Sequence, residues 1–184
     1  MNNSNSISKN KALFLDRDGV VCEALNPNDG KNGYLIKPEE CELLPGIKEL
    51  VTSAKEKGYV VVVVSNQPQI AKGLLKEGEL ARVHLKIQNL LDNKIDKIYH
   101  CPHKDEDNCD CRKPKAGMLK RAAEELNIDC TKSVMVGDGD KDIFAGQAVG
   151  CKTIFIKNKF KEQYLANCSP DYTVTRLSEV IPLI

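Results

Sequence analysis

An α/β fold with a doubly wound parallel sheet is predicted by three observations on the 184-residue chain. Short apolar runs recur along it, helical patterns lie between them, and several runs end in small polar or acidic residues. Such alternation covers both faces of a sheet with helices, giving three layers, and ligands then bind beyond the carboxyl ends of the strands. The length suits one domain around one core. Residues 11–184 are therefore expected to form that domain, behind a disordered tail, 1–10, dominated by Asn, Ser and Lys.

The elements follow in order. The run 12–15 predicts a buried strand, and Ile47, Leu50, Val51 and Ala54 then mark one helix face at i, i+3, i+4 and i+7. The valine-rich run 59–64 predicts a second strand. Leu80, Val83, His84 and Ile87 repeat the helical spacing, 97–100 reads as a weaker strand, and Leu119, Ala122, Ala123 and Leu126 mark another helix. Strands at 134–136 and 153–156 come next, then a last strand at 172–174 and a short helix at 177–181. The polar, Gly- and Asn-containing stretch 23–37 predicts a mobile binding loop.

Composition excludes several roles. Lys plus Arg total 27 and Asp plus Glu 26, so the net charge is +1 and no overall field draws the chain to nucleic acid or an anionic membrane. With only 5 Tyr, 4 Phe and no Trp, there is little aromatic surface for stacking on bases. The first residues lack a signal-peptide core, and no run approaches the roughly 20 apolar residues of a membrane span. A cytoplasmic monomer without nucleic-acid or membrane partners is the expectation. In that compartment the 8 cysteines read as thiols or metal ligands.

The strand ends carry the chemistry. The first runs into Asp16-Arg17-Asp18-Gly19, the second into Ser65-Asn66, and the fourth into Gly137-Asp138. Carboxylates at i and i+2 can divide labour, one as nucleophile or metal ligand and the other as general acid/base. An aspartate from another strand completes an oxygen-donor site suited to Mg2+. Separately, Cys101, His103, Cys109 and Cys111 supply three thiolates and an imidazole, the donor set of a closed, structural Zn2+ site. That loop leads directly into Arg112 and Lys113, so the zinc would aim two cations at a substrate. Elsewhere the bland readings are favoured. His84 is a packed histidine, His100 lies outside the metal shell, and Cys22, Cys41, Cys130, Cys151 and Cys168 are scattered thiols, unreactive or partly buried. The basic run 157–161 is solvated surface.

Asp16-Arg17-Asp18-Gly19-Val20, Ser65-Asn66, Arg112-Lys113-Pro114 and Gly137-Asp138 with Asp142 resemble the four motifs of the haloacid dehalogenase-like (HAD) phosphatases. Cys101-Pro102-His103, the stretch 109–114 and Gly117-Met118-Leu119 resemble the subgroup holding D-glycero-D-manno-heptose 1,7-bisphosphate phosphatases and histidinol-phosphate phosphatases. The resemblance implies the Rossmann-like HAD fold without a cap domain, its open site shaped by the loops 23–37 and 67–75 and by the zinc loop. It also implies hydrolysis of a small phosphate ester through an aspartyl-phosphate. Asp16 would be the nucleophile, Asp18 the acid/base, and Mg2+ would be held by Asp16, Asp138 and the Asp18 carbonyl with support from Asp142. Ser65 and Lys113 would bind the reacting phosphate, while Asn66 and Arg112 would contact substrate.

Gly33-Tyr34, the stretches 70–73 and 98–101 and Gly117-Met118-Leu119 look more like the heptose bisphosphatases, a resemblance that implies a heptose bisphosphate cleaved to heptose 1-phosphate. Histidinol phosphate is the alternative, for which Asp29, Glu39 and Glu40 are candidate acidic contacts. A catalytically weak, zinc-stabilised binding protein is the further alternative. The chain departs from the pattern at Ser65 (Thr in the family), at Pro68-Gln69 (Ser-Gly), in a longer first loop, and at Gly139, where a lysine commonly stands. The last change removes a cation from the phosphate-binding edge.

Overall fold

The computed structural model describes residues 9–23, 35, 37–158 and 161–184. Six strands form one parallel sheet in the order β3-β2-β1-β4-β5-β6: β1 (Lys11–Leu15), β2 (Tyr59–Asn66), β3 (Lys97–Cys101), β4 (Val134–Gly137), β5 (Lys152–Ile156) and β6 (Tyr172–Val174). Four α-helices connect them: α1 (Ile47–Glu56), α2 (Glu77–Leu90), α3 (Gly117–Glu125) and α4 (Asp140–Gln147). The doubly wound α/β prediction holds, and every predicted strand is present. Most of the proposed tail and of the loop 23–37, including Asp29 and Gly33-Tyr34, lies outside the described residues. Asn10 is bonded on both sides, its N–H to the Asn127 carbonyl and its own carbonyl to the Asp129 N–H.

The period-two pattern of the strands sorts the core into two layers. Leu13, Leu15, Val61, Val63, Val134, Val136, Ile154 and Ile156 face one cluster with Ile47, Leu50, Val51 and Ala54 of α1 and Val83 and Ile87 of α2. Ala12, Phe14, Val62, Val64 and Met135 face the other, against Met118, Leu119 and Ala122 of α3 and Ala145 of α4. Each fully buried Leu, Val or Ile contributes about 1.5–3 kcal/mol, so the valine run of β2 stabilises both layers at once.

Helix α4 was not apparent in the sequence. Its residues Asp-Lys-Asp-Ile-Phe-Ala-Gly-Gln show no apolar stripe, and its buried positions include Asp142 and Gly146. A Cβ on Gly146 would come within 2.8 Å of the Met135 side chain, so the helix lies close against β4 through a residue without one. The short helix expected at 177–181 is two 3-10 turns, Leu177–Glu179 and Ile181–Leu183. Among the described residues, no helix is long and apolar enough to cross a membrane.

Candidate active site

The central strands end level with one another. Leu15 pairs with Val63 of β2 and Val136 of β4, so Asp16, Ser65 and Asp138 emerge at one edge of the sheet. The Asp16 N–H bonds the Val136 carbonyl at 3.0 Å, which fixes the first aspartate against the fourth strand.

Lys113 lies at the middle of this edge, buried. Its Nζ donates to Asp16 Oδ1 at 2.8 Å, to Asp142 Oδ1 at 2.5 Å and to the Val64 carbonyl at 2.8 Å, using all three ammonium protons. Burial disfavours the charge on Lys113, but Asp142 and Asp16 outweigh it and shift the pKa upward. Burial likewise opposes ionisation of Asp16, yet Lys113 and Lys161 prevail and hold its carboxyl below the usual range. Asp142 is pushed up by burial and by Asp16, with Lys113 compensating only in part. Asp138 rises to about 7, chiefly through burial, which Lys161 offsets only partly and the charges of Asp16 and Asp142 reinforce.

Carboxylate oxygens of Asp16, Asp138 and Asp142 lie within 4.8 Å of one another, a hard-donor cluster that fits a divalent cation such as Mg2+. A positive group is already drawn there. The Lys161 ammonium lies 2.8 Å from Asp138 Oδ1 and 3.4 Å from the Asp18 carbonyl oxygen, between two of the ligands expected for Mg2+. This corrects the reading of the run 157–161 as solvated surface: Lys157 pairs with Glu162 on the outside, but Lys161 turns into the site. A cation from the segment after β5 thus reaches the acidic cluster, where Gly139 offers none. Two glycines leave room for the carboxylates. A Cβ on Gly19, at φ +98°, would lie 1.8 Å from Asp138 Oδ2, and one on Gly137 would lie 2.1 Å from Asp142 Cβ.

Asp18 and Ser65 are joined by residues that the sequence did not single out. Arg17, completely buried, donates from Nε to Asp18 Oδ1 at 3.1 Å and from Nη2 to Asp18 Oδ2 at 3.0 Å. Gln67 Nε2 donates to Asp18 Oδ2 at 3.0 Å and to Ser65 Oγ at 2.7 Å. Asn66, expected to contact substrate, instead commits both ends of its amide to the main chain of Lys113, donating to its carbonyl at 2.9 Å and accepting from its N–H at 3.0 Å. The end of β2 therefore clamps the segment bearing the central lysine.

The second metal-type cluster comes from the end of β3 and the loop after it. Cys101, His103, Cys109 and Cys111 present donor atoms within 4.8 Å of one another. Sulfur–sulfur separations are 2.9 Å (Cys101–Cys111), 3.4 Å (Cys109–Cys111) and 3.5 Å (Cys101–Cys109), and His103 Nδ1 lies 3.3 Å from Cys111 Sγ. A tetrahedral ion with bonds of about 2.3 Å has edges of about 3.8 Å, so the donor set fits zinc after a slight expansion. His100 stays outside the cluster, as expected, against Glu77 at 3.1 Å. Arg112 is held on the rim by Asp105 Oδ1 at 2.5 Å and the His103 carbonyl at 3.2 Å.

His84 is half-buried, packed against the His100 ring at 5.8 Å, and burial together with the charges of Arg17 and His100 depresses it to about 3. Four of the five remaining cysteines are paired, contrary to expectation, while Cys168 stands apart with its thiol toward the Tyr164 carbonyl. Cys22 and Cys41 bring their sulfurs to 3.4 Å, and Cys130 is hydrogen-bonded to Cys151.

Comparisons with known proteins agree with this architecture. The family described as haloacid dehalogenase-like hydrolase matches residues 12–150. D-glycero-alpha-D-manno-heptose-1,7-bisphosphate 7-phosphatase of Campylobacter jejuni is 40% identical over 158 residues, covering 84% of this chain and 87% of its own. The corresponding beta-heptose enzyme of Haemophilus influenzae is 40% identical over 152 residues, 78% of each chain. Among solved structures, D,D-heptose 1,7-bisphosphate phosphatase from B. bronchiseptica, complexed with magnesium and phosphate, superposes with a TM-score of 0.83. It shares 29% identity and covers 94% of this chain and 97% of its own.

Proposed function

Because the chain belongs to the haloacid dehalogenase-like hydrolase family, we propose that it is a Mg2+-dependent phosphatase that removes the 7-phosphate of D-glycero-D-manno-heptose 1,7-bisphosphate, leaving heptose 1-phosphate. The observation that carries the substrate is the 40% identity, over most of both chains, to enzymes named for that reaction. The chemistry is supported by Asp16, kept ionised beside Lys113 at the sheet edge.

In this reading Asp16 attacks phosphorus in line and forms an aspartyl-phosphate. The departing sugar oxygen takes its proton from Asp18, which then accepts one from the water that hydrolyses the intermediate. Ser65 donates its hydroxyl to a phosphate oxygen, and Lys113 offsets phosphate charge from a buried position where it acts at low dielectric. Asp16, Asp138 and the Asp18 carbonyl would hold Mg2+, whose charge reduces the repulsion between nucleophile and phosphate. Asp142, bonded to Lys113 and to the Gly139 N–H at 3.1 Å, keeps the lysine in place. Arg112 would reach the rest of the substrate from the rim. Cys101, His103, Cys109 and Cys111 would hold a structural Zn2+ that fixes the loop carrying Arg112 and Lys113, and cysteines outside disulfides suit a cytoplasmic setting.

Phosphate release in the presence of Mg2+ tests the proposal, with both anomers of the bisphosphate run beside histidinol phosphate and Asp16→Asn as the blank. At least a hundredfold preference in kcat/KM for one heptose anomer is expected, about 2.7 kcal/mol of transition-state binding. Preference for histidinol phosphate would overturn the substrate, and turnover retained in Asp16→Asn would overturn the mechanism.

A further inference from the structure

We infer that Gln67 is a positioning residue for the proposed hydrolysis: its buried amide aims the Ser65 hydroxyl and holds the Asp18 carboxylate, although it touches neither nucleophile nor metal ligand oxygens. The inference rests on the phosphatase reading above. Gln67 follows β2 directly and is fully buried, as is Arg17. Its oxygen Oε1 accepts from Arg17 Nη2 at 3.0 Å, while Nε2 donates one proton to Ser65 Oγ and the other to Asp18 Oδ2.

The amide has one workable orientation. Turned over, its NH2 would face the Arg17 guanidinium, which has only donors, and the bond that Oε1 accepts from Nη2 would be lost. The neighbours therefore dictate which end is which. Two consequences follow for the reacting groups. Ser65 Oγ accepts a hydrogen bond from Gln67, so its own O–H is directed elsewhere and is available to a phosphate oxygen. Asp18 receives three N–H bonds, two from Arg17 and one from Gln67, which fix its carboxylate relative to the strand end. Arg17 Nη2 also bonds the Leu35 carbonyl at 3.2 Å, so the same network reaches the main chain at the far end of the first loop. A shorter Asn could not span these partners, and an isosteric Glu would set oxygen against the Asp18 carboxylate.

A role in positioning Asp18 and Ser65 separates from a merely structural one by leaving group. A sugar alkoxide needs a proton from Asp18, whereas p-nitrophenolate leaves without one, so the loss should be larger for the sugar ester. We would measure kcat and KM for the heptose bisphosphate and for p-nitrophenyl phosphate with Mg2+, in the wild-type chain, Gln67→Leu and Gln67→Glu, with melting temperature as the control for folding. The expected result is a fall in kcat of at least thirtyfold on the bisphosphate, KM within threefold, and a loss at least fivefold smaller on the aryl ester. Gln67→Glu, similar in volume, keeps the test open should Gln67→Leu fail to fold. Equal losses on both esters, or unchanged kcat in a folded variant, would overturn the inference alone. A wild-type chain inert to both esters would overturn the phosphatase reading and with it the role assigned to Gln67.

Discussion

Lys161, half-buried, and the fully buried Asp138 form an ion pair at 2.8 Å, joining the segment after β5 to the end of β4. Three carboxylates and two ammonium groups share this small volume: Asp16, Asp138 and Asp142 with Lys113 and Lys161. The ammonium of Lys161 and a divalent ion compete for the same oxygens, whereas Lys113 lies on the side of Asp16 that faces Asp142.

Removing that competitor should tighten metal binding. Lys161→Met leaves Asp138 without its cation and makes the cluster more negative, so titration calorimetry should give a Mg2+ Kd several-fold lower than that of the wild-type chain. A weaker Kd would show that Lys161 helps to hold the ion rather than standing in its place.

Lys113 is predicted to be a stability residue as well as a phosphate contact. In Lys113→Met, Asp16 and Asp142 remain buried beside each other without their shared partner, and breaking such a pair costs about 3–5 kcal/mol. At about 2–4 °C per kcal/mol for a chain of this size, thermal unfolding of the metal-free protein should begin at least about 6 °C lower. The deficit should shrink when Asp142→Asn is added, because the second variant removes one of the orphaned charges.

Zinc should be found at one ion per chain by elemental mass spectrometry, and Cys109→Ala should abolish it. Loss of the ion frees the loop that carries Arg112, while Asn66 still clamps the Lys113 main chain. Turnover of the bisphosphate should therefore fall more steeply than turnover of a small aryl phosphate, which lacks a second phosphate for Arg112.

Asp171 ties β6 to β5, accepting from the Thr153 N–H at 2.7 Å and hydroxyl at 2.8 Å, and these bonds lower its pKa. A depressed carboxylate contributes stability that is present above its unfolded pKa, near 3.9, and is lost as pH falls through the folded value. Asp171→Asn should thus melt below the wild-type chain at pH 7, by the equivalent of less than about 1 kcal/mol because the exposed carboxylate is screened by solvent. The gap should close under acid titration below about pH 4; a gap independent of pH would point to packing instead.

Much of the site could be read in the sequence because its acidic residues follow apolar runs whose parallel pairing brings their ends level, as Leu15, Val63 and Val136 show. Cys101, His103, Cys109 and Cys111 were legible because four ligands fall close together along the chain. What escaped depends on folding at long range or on burial against type. Lys161 sits in a run of charges that reads as surface, and nothing local reveals that its partner is Asp138. Arg17 is completely buried, a rare place for arginine, and its position between two aspartates gives no hint of it. Cys22 and Cys41 lie 19 residues apart and Asn66 acts on a main chain 47 residues away, so no local periodicity records either contact. Helix α4 lacked a stripe because a catalytic-edge aspartate and a packing glycine occupy its inner face.

The wide sequence separations within the charged cluster also set an order of events during synthesis. Asp16 waits for Lys113, 97 residues later, and Lys113 for Asp142, 29 residues later; Lys161 follows Asp138 by another 23. Chain growth therefore leaves the first aspartate without its buried counter-charge until more than half the protein has been made. A chain ending before residue 161 holds the carboxylates that follow β1 and β4 with one ammonium of the final two, and is more acidic at this edge than the finished protein.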